Sequence, residues 1–370
     1  MAAIAAAIRM LWMQALLVWF LQLRICCAAP SFNPACPSAL ISLGDSSADT
    51  GNAEIVFPLV MPAQYPPYGM TYFHRPANRF SDGRLVIDFM AQALNLPLLE
   101  PDLGQSSTAT LSRGINFAVA GAVAIGGSES QLSFSAQIER FHTLVNSEAN
   151  RGNRVFSGAL YVISIGTNDF YNSLAVEKMS EEDVRGLIAP QVIDAIANAV
   201  RNIYNQGGRN FVVVNVYAQG CTPATLTLVD PLNVDAHDQL GCLPSYNQVI
   251  EDYNKQLKQT VYNLIAELEG VNIAYADVYQ ALMNMLSNPQ QYGFQDATKL
   301  DACCGSGGTH NYDATKICGE IANICSNPSS YISWDGIHLT EAAYRVIARG
   351  VITGQYLDPP VNSSSTCHRP

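Results

Sequence analysis

Four short apolar, β-branched runs, at residues 39–43, 159–165, 211–216 and 271–276, are separated by segments of helical periodicity. Runs of this kind read as strands buried on both faces. Between them, Leu85, Val86, Phe89, Met90 and Leu94 fall on one helical face, with Ser81 or Asp82 as the expected N-cap. Residues 184–203 and 246–268 repeat the helical period. Buried strands alternating with amphipathic helices predict an α/β fold, a three-layer α/β/α sandwich around a central parallel sheet. On such a sheet, ligands bind outside the C-terminal ends of the strands. With 370 residues, 48% of them hydrophobic, the chain can bury one sizeable core. No linker or repeat divides it.

The first 29 residues read as a targeting segment. Arg9 is the only early charge, residues 10–23 are apolar apart from two Gln, and Cys27-Ala28-Ala29 offers small residues for cleavage. This is the pattern of a secretory signal peptide cut near Ala28 or Ala29. An uncleaved anchor is the alternative, and would make a Golgi location attractive. The expected organisation is therefore a signal peptide at 1–29, one α/β domain at 30–358 and a polar tail at 359–370. The tail holds the only N-glycosylation sequon, Asn362-Ser363-Ser364.

Net charge is −11, and becomes −13 once a leader holding Arg9 and Arg24 is removed. No basic patch is visible, which argues against nucleic acid or an anionic membrane as partner. A monomer without a stable membrane partner is expected. Of 10 cysteines, eight lie beyond the leader. An even number in a secreted chain suggests disulfides. Cys221 and Cys242 could close a loop of their own, while Cys303, Cys304, Cys318 and Cys325 cluster with open connectivity. A zinc site there is disfavoured by the oxidising compartment and the lack of a CxxC pair. No motif calls for a metal or cofactor.

The chemistry sits in four short segments. Gly44-Asp45-Ser46-Ser47 follows the first strand run, and Trp334-Asp335-Gly336-Ile337-His338 lies near the end. A serine hydroxyl needs a base to take its proton as it attacks. An imidazole can do so near neutral pH, and an aspartate three residues earlier can hold its other nitrogen. Taken alone, Gly-Asp-Ser-Ser is an ordinary turn, and the later segment a loop before a helix starting near Thr340 and Glu341. An attacked carbonyl also needs donors for its oxyanion. Asn168, in Gly166-Thr167-Asn168-Asp169, offers a side-chain amide, and Gly121 a backbone N–H. The Ser46 N–H would be the third donor. Asn168 as a turn residue and Gly121 as a site of close backbone packing are the plainer readings. Ser46 and Asn168 both follow strand runs, so the topology brings them to one sheet edge.

Together these segments resemble the GDSL esterase/lipase family, also called SGNH hydrolases, and within it the large plant branch. The likeness spans about residues 36–357. It rests on Gly44-Asp45-Ser46 (with Ser47 where the family name has Leu), residues 114–122, residues 166–169 and residues 334–343, and on Arg79-Phe80-Ser81-Asp82-Gly83-Arg84 and Cys303-Cys304-Gly305. The resemblance implies a flavodoxin-like three-layer fold and metal-free ester hydrolysis. It gives Ser46, Asp335 and His338 as catalytic residues, and Ser46, Gly121 and Asn168 as the oxyanion hole. The expected substrate is a small-molecule, lipid or acetylated polysaccharide ester, short-acyl or acetyl esters first, with a Golgi or cell-wall polysaccharide (xylan) O-acetylesterase or an acyltransferase using the same site as alternatives. There is no Gly-x-Ser-x-Gly elbow, Walker A loop or His-Glu-x-x-His. His142, His237, His310 and His368 are expected to be structural or surface residues, with His74, in the Pro-rich segment at 57–82, the exception to watch. That segment could wall a substrate cleft.

Overall fold

The computed structural model describes residues 37–104, 113–127, 129–131, 133–147, 155–229, 236–316, 318–319 and 323–360. The expected leader at 1–29 and the sequon at Asn362 lie outside them.

The four apolar runs form β1 (Ala39–Gly44), β3 (Ala159–Ser164), β4 (Asn210–Val214) and β5 (Asn272–Ala276). Two further strands complete the sheet, β2 (Gly114–Asn116) and the two-residue β8 (Leu357–Asp358); β6 (Cys304–Gly305) and β7 (Asn323–Ile324) pair separately. The order is β2-β1-β3-β4-β5-β8. The first five strands are parallel, and β8 is antiparallel at the edge.

The helices used below are α1 (Asn52–Val56), α2 (Val86–Ala93), α3 (Phe134–Asn146), α4 (Thr167–Phe170), α5 (Ala189–Asn205), α6 (Pro223–Val229), α7 (Pro244–Glu267), α8 (Val278–Ser287) and α9 (Glu341–Thr353). Strand side chains alternate between two layers. Val162, Val212 and Val214 face a cavity of about 50 Å³ closed by Met90 of α2, Val278 of α8 and Ile347 of α9. Tyr161 and Phe211 point the other way, where Tyr161 meets Phe141 of α3 at 5.7 Å. The expected three layers follow.

Two local expectations change. The N-cap of α2 is Leu85, whose N–H donates to Asp88, rather than Ser81 or Asp82. Asp82 instead receives the N–H of Glu341 at the start of α9, and Ser81 donates to Leu339 O. Both side chains are thus used by the entry to a helix more than 250 residues away. The helix expected at 184–203 opens with a π turn, Val184–Ile188, before α5. Pro190 has no N–H to give, and its ring crowds the preceding turn, which a wider turn relieves.

With the order 2-1-3-4-5, the chain leaves β1 toward one side of the sheet and returns on the other. The switch lies between β1 and β3, and the loops after these strands carry Ser46 and Asn168. A crevice at that point is where such sheets take ligands.

Candidate active site

Gly44 ends β1 against Ser164 of β3. A Cβ at Gly44 would lie 2.1 Å from Ser164 O, so only glycine permits this approach. The Gln137 side chain of α3 grips the same residue, accepting from Gly44 N (2.8 Å) and donating to Gly44 O (2.7 Å). The chain then turns tightly, with Ala48 and Asp49 N–H both donating to Asp45 O. Ser46 sits at this turn with 8% of its surface exposed.

His338 Nε2 lies 2.8 Å from Ser46 Oγ, and its Nδ1 lies 2.7 Å from Asp335 Oδ2. Residues 292 positions apart thus form one continuous hydrogen-bonded line. Asp335 Oδ1 accepts the N–H groups of Ile337 and His338, which curls the segment so that carboxylate and imidazole face each other. Burial pushes the Asp335 carboxyl up, but the His338 charge and these hydrogen bonds outweigh it and hold the group below the usual carboxylate range. Immediately after His338, Thr340 caps α9 by accepting from Ala343 N.

Gly121 has φ +82°, a left-handed conformation that favours glycine, and a Cβ there would meet nothing within 4 Å. Close backbone packing is therefore not the reason for this glycine. Among the described residues, neither Gly121 N–H nor Ser46 N–H donates to a protein acceptor. Asn168 Nδ2 donates to Ala122 O at 2.8 Å, leaving its second amide hydrogen available and setting it beside the Gly121 loop.

Two buried carboxylates tie this loop down. Asp49 accepts four backbone N–H groups, from Gly51, Asn52, Ala53 and Ala120. Asp169 accepts those of Ala124 and Ile125. Gly121 is thus bracketed by a clamp from the Ser46 loop on one side and from the Asn168 loop on the other. Burial raises both carboxyls to about 6, against the pull of the N–H groups.

The family described as GDSL-like Lipase/Acylhydrolase matches residues 40–351. The chain belongs to it. It is accordingly a carboxylic ester hydrolase. Among relatives of this GDSL hydrolase, the Arabidopsis thaliana GDSL esterase/lipase At1g28580 is 38% identical over 344 residues, covering 88% of this chain and 87% of the relative. At1g28570 of the same plant is 35% identical, with 96% and 95% covered. Solved structures are more distant. The acetylxylan esterase Axe2 of Geobacillus stearothermophilus is similar with a TM-score of 0.35 at 12% identity, covering 90% of this chain and 99% of that one. TesA gives 0.33 at 13%, covering 85% and 95%. Likenesses this weak do not bear on substrate.

The block Arg79-Phe80-Ser81-Asp82-Gly83-Arg84 has a place in this GDSL hydrolase. It forms the socket for the start of α9. Asp82 takes Glu341 N, Arg84 pairs with Glu341 at 2.8 Å, and a Cβ on Gly83 would lie 2.0 Å from the Glu341 carboxylate. Phe80 lies against the imidazole of His338, with ring centroids 4.9 Å apart. The irregular chain before Asp335 is secured by Cys303–Cys325 and Cys304–Cys318, which removes the zinc alternative, and Cys221–Cys242 closes its own loop. Cys303 N and Cys304 N donate to Ser333 O and Trp334 O, which carries that anchorage to the residue before Asp335.

Sequence reasoning missed Asp49, Asp169, Gln137, Phe80 and Tyr68. The two aspartates did leave a signal, since Asp169 closes the 166–169 block and Asp49 lies two residues beyond the Gly44–Ser47 segment. His74 is exposed at φ +55° and takes no part in the site.

Proposed function

We propose that this chain is an exported serine esterase that hydrolyses short-acyl or acetyl esters through an acyl-enzyme. Ser46 Oγ attacks the ester carbonyl while its proton passes to His338 Nε2. Asp335 holds the imidazolium through Nδ1–H. The oxyanion takes hydrogen bonds from the N–H groups of Ser46 and Gly121 and from Asn168 Nδ2. The leaving alcohol departs with the proton from His338. Water then attacks the acyl-Ser46 carbonyl, gives its proton to His338, and the acid and free Ser46 are released. One observation carries this reading: the hydrogen-bonded line from Asp335 through His338 to Ser46. Export is supported by the leader-like residues 1–29 and by the three disulfides among the described residues, since disulfides persist in oxidising compartments.

A second reading, longer-chain esters, is favoured by the exposed apolar side chains of Leu59, Val60, Tyr65, Met70 and Tyr72 on the segment that flanks the acid–base pair. Hydrolysis of p-nitrophenyl esters from acetate to palmitate, by wild type and Ser46→Ala, tests both. The expected result is a rate that falls with chain length and a loss of ~1,000-fold or more in the variant. A Ser46→Ala enzyme with wild-type turnover would end the reading, and a palmitate optimum would select the longer-chain alternative.

A further inference from the structure

Asp335 Oδ2, the oxygen that faces His338 Nδ1, has a second partner. The hydroxyl of Tyr68 donates to it at 2.8 Å. Tyr68 is only 2% exposed, and its ring packs edge-on against Phe80 and against Trp334, the residue before Asp335. Its backbone is pinned on both sides, with Tyr68 N donating to Tyr65 O and Gly69 N to Ser81 O. The hydroxyl therefore has little freedom to leave the carboxylate. Burial and the adjacent Asp335 charge push the phenol well above its ordinary value, so it stays a donor. Two donors on one carboxylate oxygen share its negative charge. Whatever the phenol takes is withheld from the imidazolium.

We propose that Tyr68 is a positioning residue of the acid–base pair, fixing the Asp335 carboxylate against His338 and weakening its pull on the imidazole proton. The inference rests on the catalytic reading above. It gives the Pro-rich segment at 57–82 a role inside the site as well as at its rim.

Among the described residues, the other titratable groups that act on Asp335 or His338 are Asp45 in the β1–α1 loop and the phenols of Tyr171, Tyr217, Tyr312 and Tyr344, while Asp82 of the 79–84 block and Glu341 at the start of α9 act on each other. Burial pushes all four phenols up and keeps them neutral. The acids are common to wild type and variant, so comparing pH profiles isolates Tyr68.

The test is the pH dependence of kcat/KM for p-nitrophenyl acetate in wild type and Tyr68→Phe, which keeps the ring and removes the oxygen. Without the phenol, Asp335 holds the imidazole proton more tightly. The acid limb should move up by about half a pH unit or more, as expected for part of one charged hydrogen bond. KM should hold, and Tyr65→Phe, an exposed neighbour, should not move the limb. Replacing Tyr68 with 3-fluorotyrosine, a stronger donor of nearly the same shape, should move the limb down, and serves if Tyr68→Phe does not fold. A limb that stays in place, or activity reduced equally at every pH, overturns the inference. Ser46→Ala tells the two ideas apart: an inactive Ser46→Ala with an unmoved limb removes this inference alone, whereas an active one removes the catalytic reading as well.

Discussion

Ser46, Gly121 and Asn168 stand in the segments that follow β1, β2 and β3 and are held through backbone N–H groups gathered by buried carboxylates; Asp335 and His338 stand on an irregular segment and are held by side-chain contacts and disulfides. In the first half, Asp49 and Asp169 collect six backbone N–H groups between them. In the second, Tyr68, Phe80, the Cys303–Cys325 bridge and the socket around Glu341 do the holding. The same residue type also titrates in opposite directions. Burial prevails at Asp49 and Asp169, whose hydrogen-bond partners are neutral backbone N–H groups, with the Asp45 charge adding to it at Asp169, whereas at Asp335 the imidazole and its hydrogen bonds prevail over burial. On the proposed mechanism, donors for a developing oxyanion must be fixed before the reaction, which suits a backbone clamp. On the same mechanism, a proton-transfer pair needs a tuned carboxylate, which suits partners whose hydrogen bonding can be graded.

The largest effect expected from this contrast is at Asp49. Asp49→Ala leaves four backbone donors without their acceptor beneath the Gly121 loop. The expected loss of unfolding free energy is about 3–5 kcal/mol, the range for uncovering several buried polar groups. Urea unfolding would measure it. A loss below ~1 kcal/mol would mean that water replaces the carboxylate, and that the loop is not clamped as described.

Next in size is a pH effect whose sign differs between the halves. Folded, Asp49 and Asp169 keep their protons to about pH 6. Unfolded, they lose them near pH 4. The folded state therefore binds more protons between these values. The stability these groups contribute is full below about pH 4 and falls as pH rises to 6, by up to about 3 kcal/mol each. Asp335 runs the other way: its folded value lies below 3.8, so its contribution is present above that pH and is lost as pH falls through the folded value. Carboxyl carbon-13 titrations should show two midpoints near 6 and one below 3.8. Equal midpoints would erase the electrostatic difference between the halves.

The strand-end half was the more legible in sequence. Runs of five to seven mostly apolar residues mark β1, β3, β4 and β5, and loops that follow buried parallel strands must share an edge. The three-residue β2 and two-residue β8 are too short to carry a pattern of their own. Ser81 and Asp82 illustrate a different limit. They stand where an N-cap for α2 would, and a local rule assigns them there, yet their partners at Leu339 and Glu341 come from the far end of the chain. Tyr68 was beyond reach for the same reason, since 267 residues separate it from Asp335 and nothing local distinguishes it from the other aromatics of its segment. The four clustered cysteines marked a disulfide region without their pairing, because spacing alone does not say which thiols the fold brings together.

The smallest effect sharpens the comparison within the Pro-rich segment itself. Its inner face supplies Tyr68 and Phe80, both buried, to the half of the site that holds Asp335 and His338. Its outer face presents Leu59 and Val60, 80% and 69% exposed. Replacing an exposed apolar side chain that packs on nothing removes little native burial, so Leu59→Ser and Val60→Ser should each change stability by less than ~0.5 kcal/mol. Their hydrolysis of p-nitrophenyl acetate should match wild type, because both side chains are exposed and neither belongs to the hydrogen-bonded line from Asp335 to Ser46. A drop confined to palmitate would show the outer face holding acyl chains. A drop with acetate would instead mean that the two faces are mechanically joined, with the segment moving as one body against Asp335.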